Sequence, residues 1–142
     1  MRYSPSRTYS LVLHNDAKAD LDRIYDEDEE AGADIEVFLE EAKNNQETLD
    51  NLTRKGYVQY GEWPFSVDEW GEAKRSKYNL WRVRLMWLEG AAAKHRIVYA
   101  FHAVEYRYYI LGIVNRNFKY DLQHERSKQI LAAYDALNIP RY

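Results

Sequence analysis

Cysteine is absent from the 142 residues. That excludes disulfide cross-links and thiolate-based zinc sites, and it is the usage expected of an intracellular protein. Long apolar runs are also missing. The run at 11–13 is too short for a signal peptide, and Arg107 interrupts the best candidate for a membrane span. A cytoplasmic protein with no membrane partner is the expectation. Repeats, low-complexity segments and inter-domain linkers are lacking, so residues 1–142 read as a single domain. The four histidines show no helical metal spacing, and no phosphate-cradling glycine loop occurs, so neither a metal nor a small-molecule cofactor is expected. The glycines at 56, 61 and 71 read as stops and turns.

What is present argues for a packed protein. Hydrophobic residues make up 46% and aromatics 15%, enough for a real core at this length. The net charge of −3 conceals a division. Residues 1–72 hold 7 Lys and Arg against 18 Asp and Glu, whereas residues 73–142 hold 13 against 5. Such a split predicts an acidic half and a basic working half.

Residues 9–13 read as a short strand. Asn15 or Asp16 can cap a helix with Ala17, Leu21, Ile24 and Tyr25 inward. Gly32 interrupts that pattern, and Asp34 can cap a second helix whose stripe is Ile35, Phe38, Leu39, Ala42, Leu49 and Leu52. Gly56 stops it, so 1–56 reads as a strand plus an acidic helical hairpin, with one long kinked helix as the alternative. Residues 57–79 fit neither period and read as an extended loop carrying Trp63, Phe65 and Trp70, either a cap on the core or a docking surface. Three strands follow at 80–88, 96–102 and 106–115, joined by turns short enough to imply antiparallel pairing. Asp121 can cap a last helix with Leu122, Ile130, Leu131, Tyr134 and Leu137 inward. The expected fold is α+β, in the order β-α-α-β-β-β-α, with an antiparallel sheet, an N-terminal helical hairpin and a C-terminal helix.

Alternate residues of a strand point to opposite faces, and this parity sorts the basic residues. Trp81, Val83, Leu85 and Trp87 share one face, with Arg82 and Arg84 on the other. Ile97, Tyr99 and Phe101 share a face; Arg96, Val98, Ala100 and His102 share its opposite. In the last strand Tyr109, Leu111 and Ile113 suit the core, leaving Ile110, Gly112, Val114 and Arg116 to the other side. Arg82, Arg84, Arg96 and Arg116 are thereby predicted on one face. Clustered guanidinium groups repel one another unless an anion joins them, and their forks match phosphate oxygens. Gly112 on that face would give a ligand backbone room.

The segments LWRVRL, HRIVYAF and YYILGIVNR, followed by a short loop and DLQHERSKQIL, resemble the RelE/ParE superfamily of type II toxin–antitoxin toxins. The likeness is greatest to the RelE-like messenger-RNA interferases. It implies a basic pair on the first strand of the meander at Arg82 and Arg84, an arginine opening the next strand at Arg96, and one ending the last at Arg116. It also implies a tyrosine or histidine near the final helix, for which Tyr120 and His124 are both eligible. A cognate antitoxin protein, and messenger RNA in the ribosomal A site beside ribosomal RNA, are the implied partners. The acidic hairpin and the 57–79 segment exceed what a minimal toxin needs.

RNA supplies its own nucleophile, the 2′-hydroxyl, so positioning, phosphorane stabilisation and proton transfer suffice without a metal. Arg96 and Arg116 are the expected phosphate stabilisers, because guanidinium stays protonated. Arg82 and Arg84 would hold flanking phosphates, with Lys119 and His102 as further RNA contacts. Tyr120 or His124 would act as acid or base. Two other readings share the scaffold: a ParE-like inhibitor of DNA gyrase, and a non-catalytic binding protein.

Overall fold

The computed structural model describes residues 8–58, 64–86 and 94–141. The elements in chain order are β1 (Ser10–Leu13), α1 (Asn15–Glu27), α2 (Glu29–Lys43), α3 (Gln46–Asn51), β2 (Gly56–Val58), β3 (Phe65–Glu69), α4 (Gly71–Arg75), β4 (Leu80–Leu85), β5 (His95–His102), β6 (Arg107–Asn115) and α5 (Glu125–Ala136). The class is α+β, around a six-stranded sheet in the order β1-β6-β5-β4-β3-β2. The sheet is mixed, not antiparallel as expected, because β1 runs parallel to β6. The helices between β1 and the meander form a crossover that carries the chain back to the same end.

The segment read as a loop contains three elements instead. In Phe65-Ser66-Val67-Asp68-Glu69, Phe65 and Val67 are buried and Ser66, Asp68 and Glu69 half-buried. This alternation is only five residues long and follows Pro64, too short to stand out as a period. β3 gains its stability from pairing with β4, Val67 opposite Val83 and Asp68 opposite Arg82. Trp70, 1% exposed, caps the core under α4. Trp63, Gly61, Trp87 and Leu88 lie outside the described residues.

Caps fall elsewhere than expected. His14, not Asn15 or Asp16, caps α1, its side chain accepting from the Asp16 N–H. Asp28, not Asp34, caps α2 by accepting from the Ala31 N–H. Gly32 therefore sits inside α2, where a Cβ would lie 2.7 Å from Tyr25 Cγ; the glycine lets α1 and α2 approach closely. Asn45 starts a third helix, α3. His124 caps α5 through the Arg126 N–H, whereas Asp121 accepts from the Gln123 N–H in the preceding turn.

Both faces of the sheet are covered in part. Val83, Leu85, Ile97, Tyr99, Phe101, Tyr108, Ile110 and Ile113 pack against the stripe of α1 and α2, with Leu49 and Leu52. Leu80, Val98, Ala100, Tyr109, Leu111 and Val114 pack on the other side against Ile130, Ala133 and Tyr134 of α5 and against Trp70 and Tyr78. Parity in β6 departs from the expected pattern. Val98 pairs with Gly112 but Tyr99 pairs with Ile110, leaving Leu111 as an extra residue. This bulge inverts the strand halfway along. Tyr109 and Leu111 thus face α5 and Ile110 faces the hairpin, while Ile113, Gly112 and Val114 keep the faces expected of them.

Candidate functional site

The helix α5 spans 12 residues and covers β6, β5 and the Leu80 end of β4 on its face. The rest of that face, over β3 and the Arg82–Arg84 part of β4, is left to polar side chains. Ser66 and Asp68 alternate with buried Phe65 and Val67, and Arg82 and Arg84 alternate with buried Val83 and Leu85. Register sets Asp68 opposite Arg82 and Ser66 opposite Arg84. Arg96 opens β5 opposite Val114, and the Arg116 backbone N–H closes the end of β6 by donating to the Lys94 carbonyl at 2.7 Å. The result is a cleft of about 330 Å³ lined by Ser66, Asp68, Arg82, Arg84, Arg96, Arg116, Phe118 and Tyr120.

Phe118 and Tyr120 wall the cleft from the loop before α5. Tyr120 has a φ of 57°, a left-handed conformation that a side chain disfavours. It is held there by Trp70, whose indole N–H donates to the Tyr120 carbonyl at 3.0 Å. The rings of Trp70 and Phe118 meet the Tyr120 ring edge to face at 5.4 and 4.9 Å. The Tyr120 Oη is buried and makes no well-formed hydrogen bond among the described residues, with Arg82 a donor within its reach. Arg82 lies over the ring face, its Cζ 4.4 Å from the centroid, so its guanidinium meets the π system of Tyr120. Burial pushes the phenol above its ordinary range, and Arg82 and Arg96 act against that shift. Tyr120 is therefore protonated at neutral pH.

Burial draws the Arg96 guanidinium below its ordinary value; nearby Tyr120 opposes this, and Arg84, Arg82 and Arg116 add to it. Arg96 Nη1 donates to the His95 carbonyl at 3.0 Å. Arg84 and Arg116 are exposed at the mouth and form no salt bridge among the described residues. Asp68 is the one acid among the described residues that line the cleft. Its Oδ2 accepts from Arg82 Nη2 at 3.1 Å, its Oδ1 accepts from the Glu69 N–H at 2.8 Å, and Lys55 Nζ stands 3.7 Å away. Burial alone would raise its carboxyl, but the Glu69 amide, Arg82 and Lys55 hold it below the usual value. Four arginines against one carboxylate leave a concentrated positive charge suited to polyanion oxygens.

The structure thus brings together five of the eight residues nominated from sequence: Arg82, Arg84, Arg96, Arg116 and Tyr120. The other three lie elsewhere. His102 is buried at the opposite end of β5, where Nδ1 accepts from the Glu105 N–H at 3.2 Å. Lys119 is exposed and outside the lining. His124 lines a neighbouring cleft of about 510 Å³ with Asp16, Asp20, Arg23 and Arg126. Phe118 belongs to both clefts, its ring 5.3 Å from the His124 ring. The expected clearance above Gly112 is occupied, since a Cβ there would lie 2.8 Å from Arg126 Nη2.

Ser66, Asp68 and Phe118 were not nominated from sequence. The parity of 65–69 carries the signal for the first two, once those residues are recognised as a strand. Among the described residues, no group of three or more His, Asp or Glu is placed to hold a metal ion. Compared with models of protein families and with curated proteins, the chain matches none.

Proposed function

We propose that the protein is a ribosome-dependent messenger-RNA endoribonuclease of the RelE type, the toxin of a type II toxin–antitoxin pair. The observation that carries this reading is the convergence of Arg82, Arg84, Arg96, Arg116 and Tyr120 on one cleft. The scissile phosphate sits between Arg96 and Arg116, while Arg82 and Arg84 take adjoining phosphates or ribosomal RNA. The 2′-oxygen attacks phosphorus in line, the bond to the 5′-oxygen breaks, and a 2′,3′-cyclic phosphate and a 5′-hydroxyl form. The 2′ proton leaves to water at the open mouth of the cleft. Tyr120, protonated at neutral pH, donates to the departing 5′-oxygen once entry of RNA uncovers its hydroxyl, which is buried in the free protein, and regains a proton from water. Arg96 and Arg116 neutralise the charge that grows on the phosphorane. In this reading His124 serves as the cap of α5 and the antitoxin neutralises by covering the arginine cleft.

The test adds purified protein to a ribosome-programmed translation reaction and maps message ends by primer extension. Cuts confined to the A-site codon, and lost in Arg96→Ala/Arg116→Ala, are the expected result. Intact message with blocked growth would replace this reading by a gyrase inhibitor on the same scaffold. Intact message with normal growth would leave a binding protein.

A further inference from the structure

Asp68, the one carboxylate beside four guanidiniums among the described lining residues, has no part in the scheme above. A phosphate-binding cleft works against itself by keeping a negative charge at its wall, so Asp68 calls for a reason. A base for the 2′-hydroxyl is a poor one. Both oxygens of Asp68 already accept, from the Glu69 N–H and from Arg82, with Lys55 close by, and these donors hold the carboxyl in its ionised form. A solvated surface pair is a poor one too. Arg82 is half-buried and bound on two sides, by Asp68 Oδ2 at 3.1 Å and by the Tyr120 ring at 4.4 Å. Asp68 and Arg82 are directly paired across β3 and β4, so the contact is fixed by backbone register.

We infer that Asp68 is a positioning residue: it clamps the Arg82 guanidinium over the Tyr120 ring, so that guanidinium and ring hold one arrangement before substrate arrives. An arginine side chain carries much rotamer freedom, and a carboxylate on one side with a ring on the other removes most of it before substrate arrives. The ring is fixed in turn on its remaining sides by Trp70 and Phe118. Lys55, from the turn after α3, steadies the carboxylate from outside. The β2–β3 hairpin then has a function: it delivers the clamp. This inference rests on the proposed RNase reading for its kinetic consequence but not for its geometry.

The experiment uses the full chain as wild type, Asp68→Asn and Asp68→Glu. Nitrogen–proton spectra of the arginine side chains report the clamp directly, with the Arg82 signal assigned by its loss in Arg82→Lys. The guanidinium Nη–H protons of Arg82 should be observed in the wild type and in Asp68→Glu, and should broaden away in Asp68→Asn. In message cleavage, Asp68→Asn should lower kcat about tenfold with KM unchanged or reduced, because a negative charge has left the phosphate site. Asp68→Glu should recover most of kcat. The alkaline limb of the pH–rate profile should move down in Asp68→Asn, since Asp68 opposes phenolate formation whereas Arg82 and Arg96, the cations facing the ring, favour it; Arg84 and Arg116 at the mouth are common to all three forms.

An Arg82 signal that persists in Asp68→Asn overturns the inference. So does a raised KM at constant kcat, which would make Asp68 a substrate contact. Should Asp68→Asn fail to fold by circular dichroism, Asp68→Ser, which also removes the carboxylate, takes its place in the same spectra, and an Arg82 signal that persists there overturns the inference. If the wild type leaves message intact, the RNase reading falls alone. The spectra still decide the clamp, together with the affinity of each form for a 2′-deoxy oligonucleotide, expected to rise in Asp68→Asn.

Discussion

Tyr120 combines three properties seldom found together: a left-handed backbone, a buried phenol oxygen with no well-formed hydrogen bond among the described residues, and a guanidinium on its ring. A buried polar atom left unsatisfied costs stability, so something other than stability keeps it there. Tyr120→Phe is expected to unfold at higher denaturant, more stable by about 1 kcal/mol. Its message cleavage should fall by roughly 10²–10⁴-fold. A substitution that stabilises while it inactivates separates a functional hydroxyl from a structural one. Arg96 reports the same economy. Crowded by Arg84, Arg82 and Arg116 in a half-buried site, it is held at a cost that a bound phosphate would relieve. Asp20 illustrates the opposite case. It is 5% exposed and accepts from Arg126 of α5 and from the Ile113 N–H at 2.9 Å, so it ties α1, β6 and α5 together. Asp20→Ala should lower the free energy of unfolding by about 2–4 kcal/mol, because it takes the carboxylate from a half-buried guanidinium and the acceptor from a buried N–H. Chemical denaturation measures it.

At the scale of elements, the close approach of α1 and α2 depends on Gly32. Alanine elsewhere in a helix stabilises relative to glycine, yet here its Cβ would meet the Tyr25 ring carbons at 2.7–2.9 Å. Gly32→Ala should therefore destabilise by about 1–3 kcal/mol despite its better helix propensity, read by thermal unfolding. Much of the chain's arrangement was legible in the sequence at this scale. The apolar stripes of α1, α2 and α5 and the three meander strands follow from periodicity, because each is long enough to repeat. The elements β2, β3 and α4 were not legible, being three to five residues long and stabilised by a neighbour more than by themselves. Parity alone grouped Arg82, Arg84 and Arg96, each on a regular strand. It also grouped Arg116, which the bulge at Leu111 leaves in place because it lies beyond it. His124 was placed near Tyr120 by sequence distance, but Phe118 stands between their two clefts.

For the whole molecule, charge and ionisation set the conditions of stability and binding. Burial raises Tyr9, Tyr78, Tyr99 and Tyr120 above the ordinary tyrosine value of 10.0, and a hydrogen bond to Glu36 takes Tyr25 to about 12. Unfolded tyrosines ionise near 10 and folded ones later, so the unfolded chain sheds protons first as pH rises. Stability should hold up to about pH 10 and then fall, with the folded state lost as pH climbs through the raised values. A urea series across pH 8 to pH 12 would show it. Binding of single-stranded RNA should weaken with salt at a slope of about −2 to −3 in log–log form, the value for three or four arginine–phosphate contacts. Each of Arg84→Ala and Arg116→Ala should flatten that slope by about 0.7. The sequence by itself determined the mixed α and β character, the helical stripes, the split of charge between halves and the shared face of the arginines, because period and composition are local properties of a chain. Only the tertiary structure decided that the sheet is mixed, that α5 stops short of β3 and of Arg82 and Arg84 on β4, and that Asp68 and Tyr120 meet on Arg82. Those depend on pairing, register and the reach of one helix, which no single segment encodes.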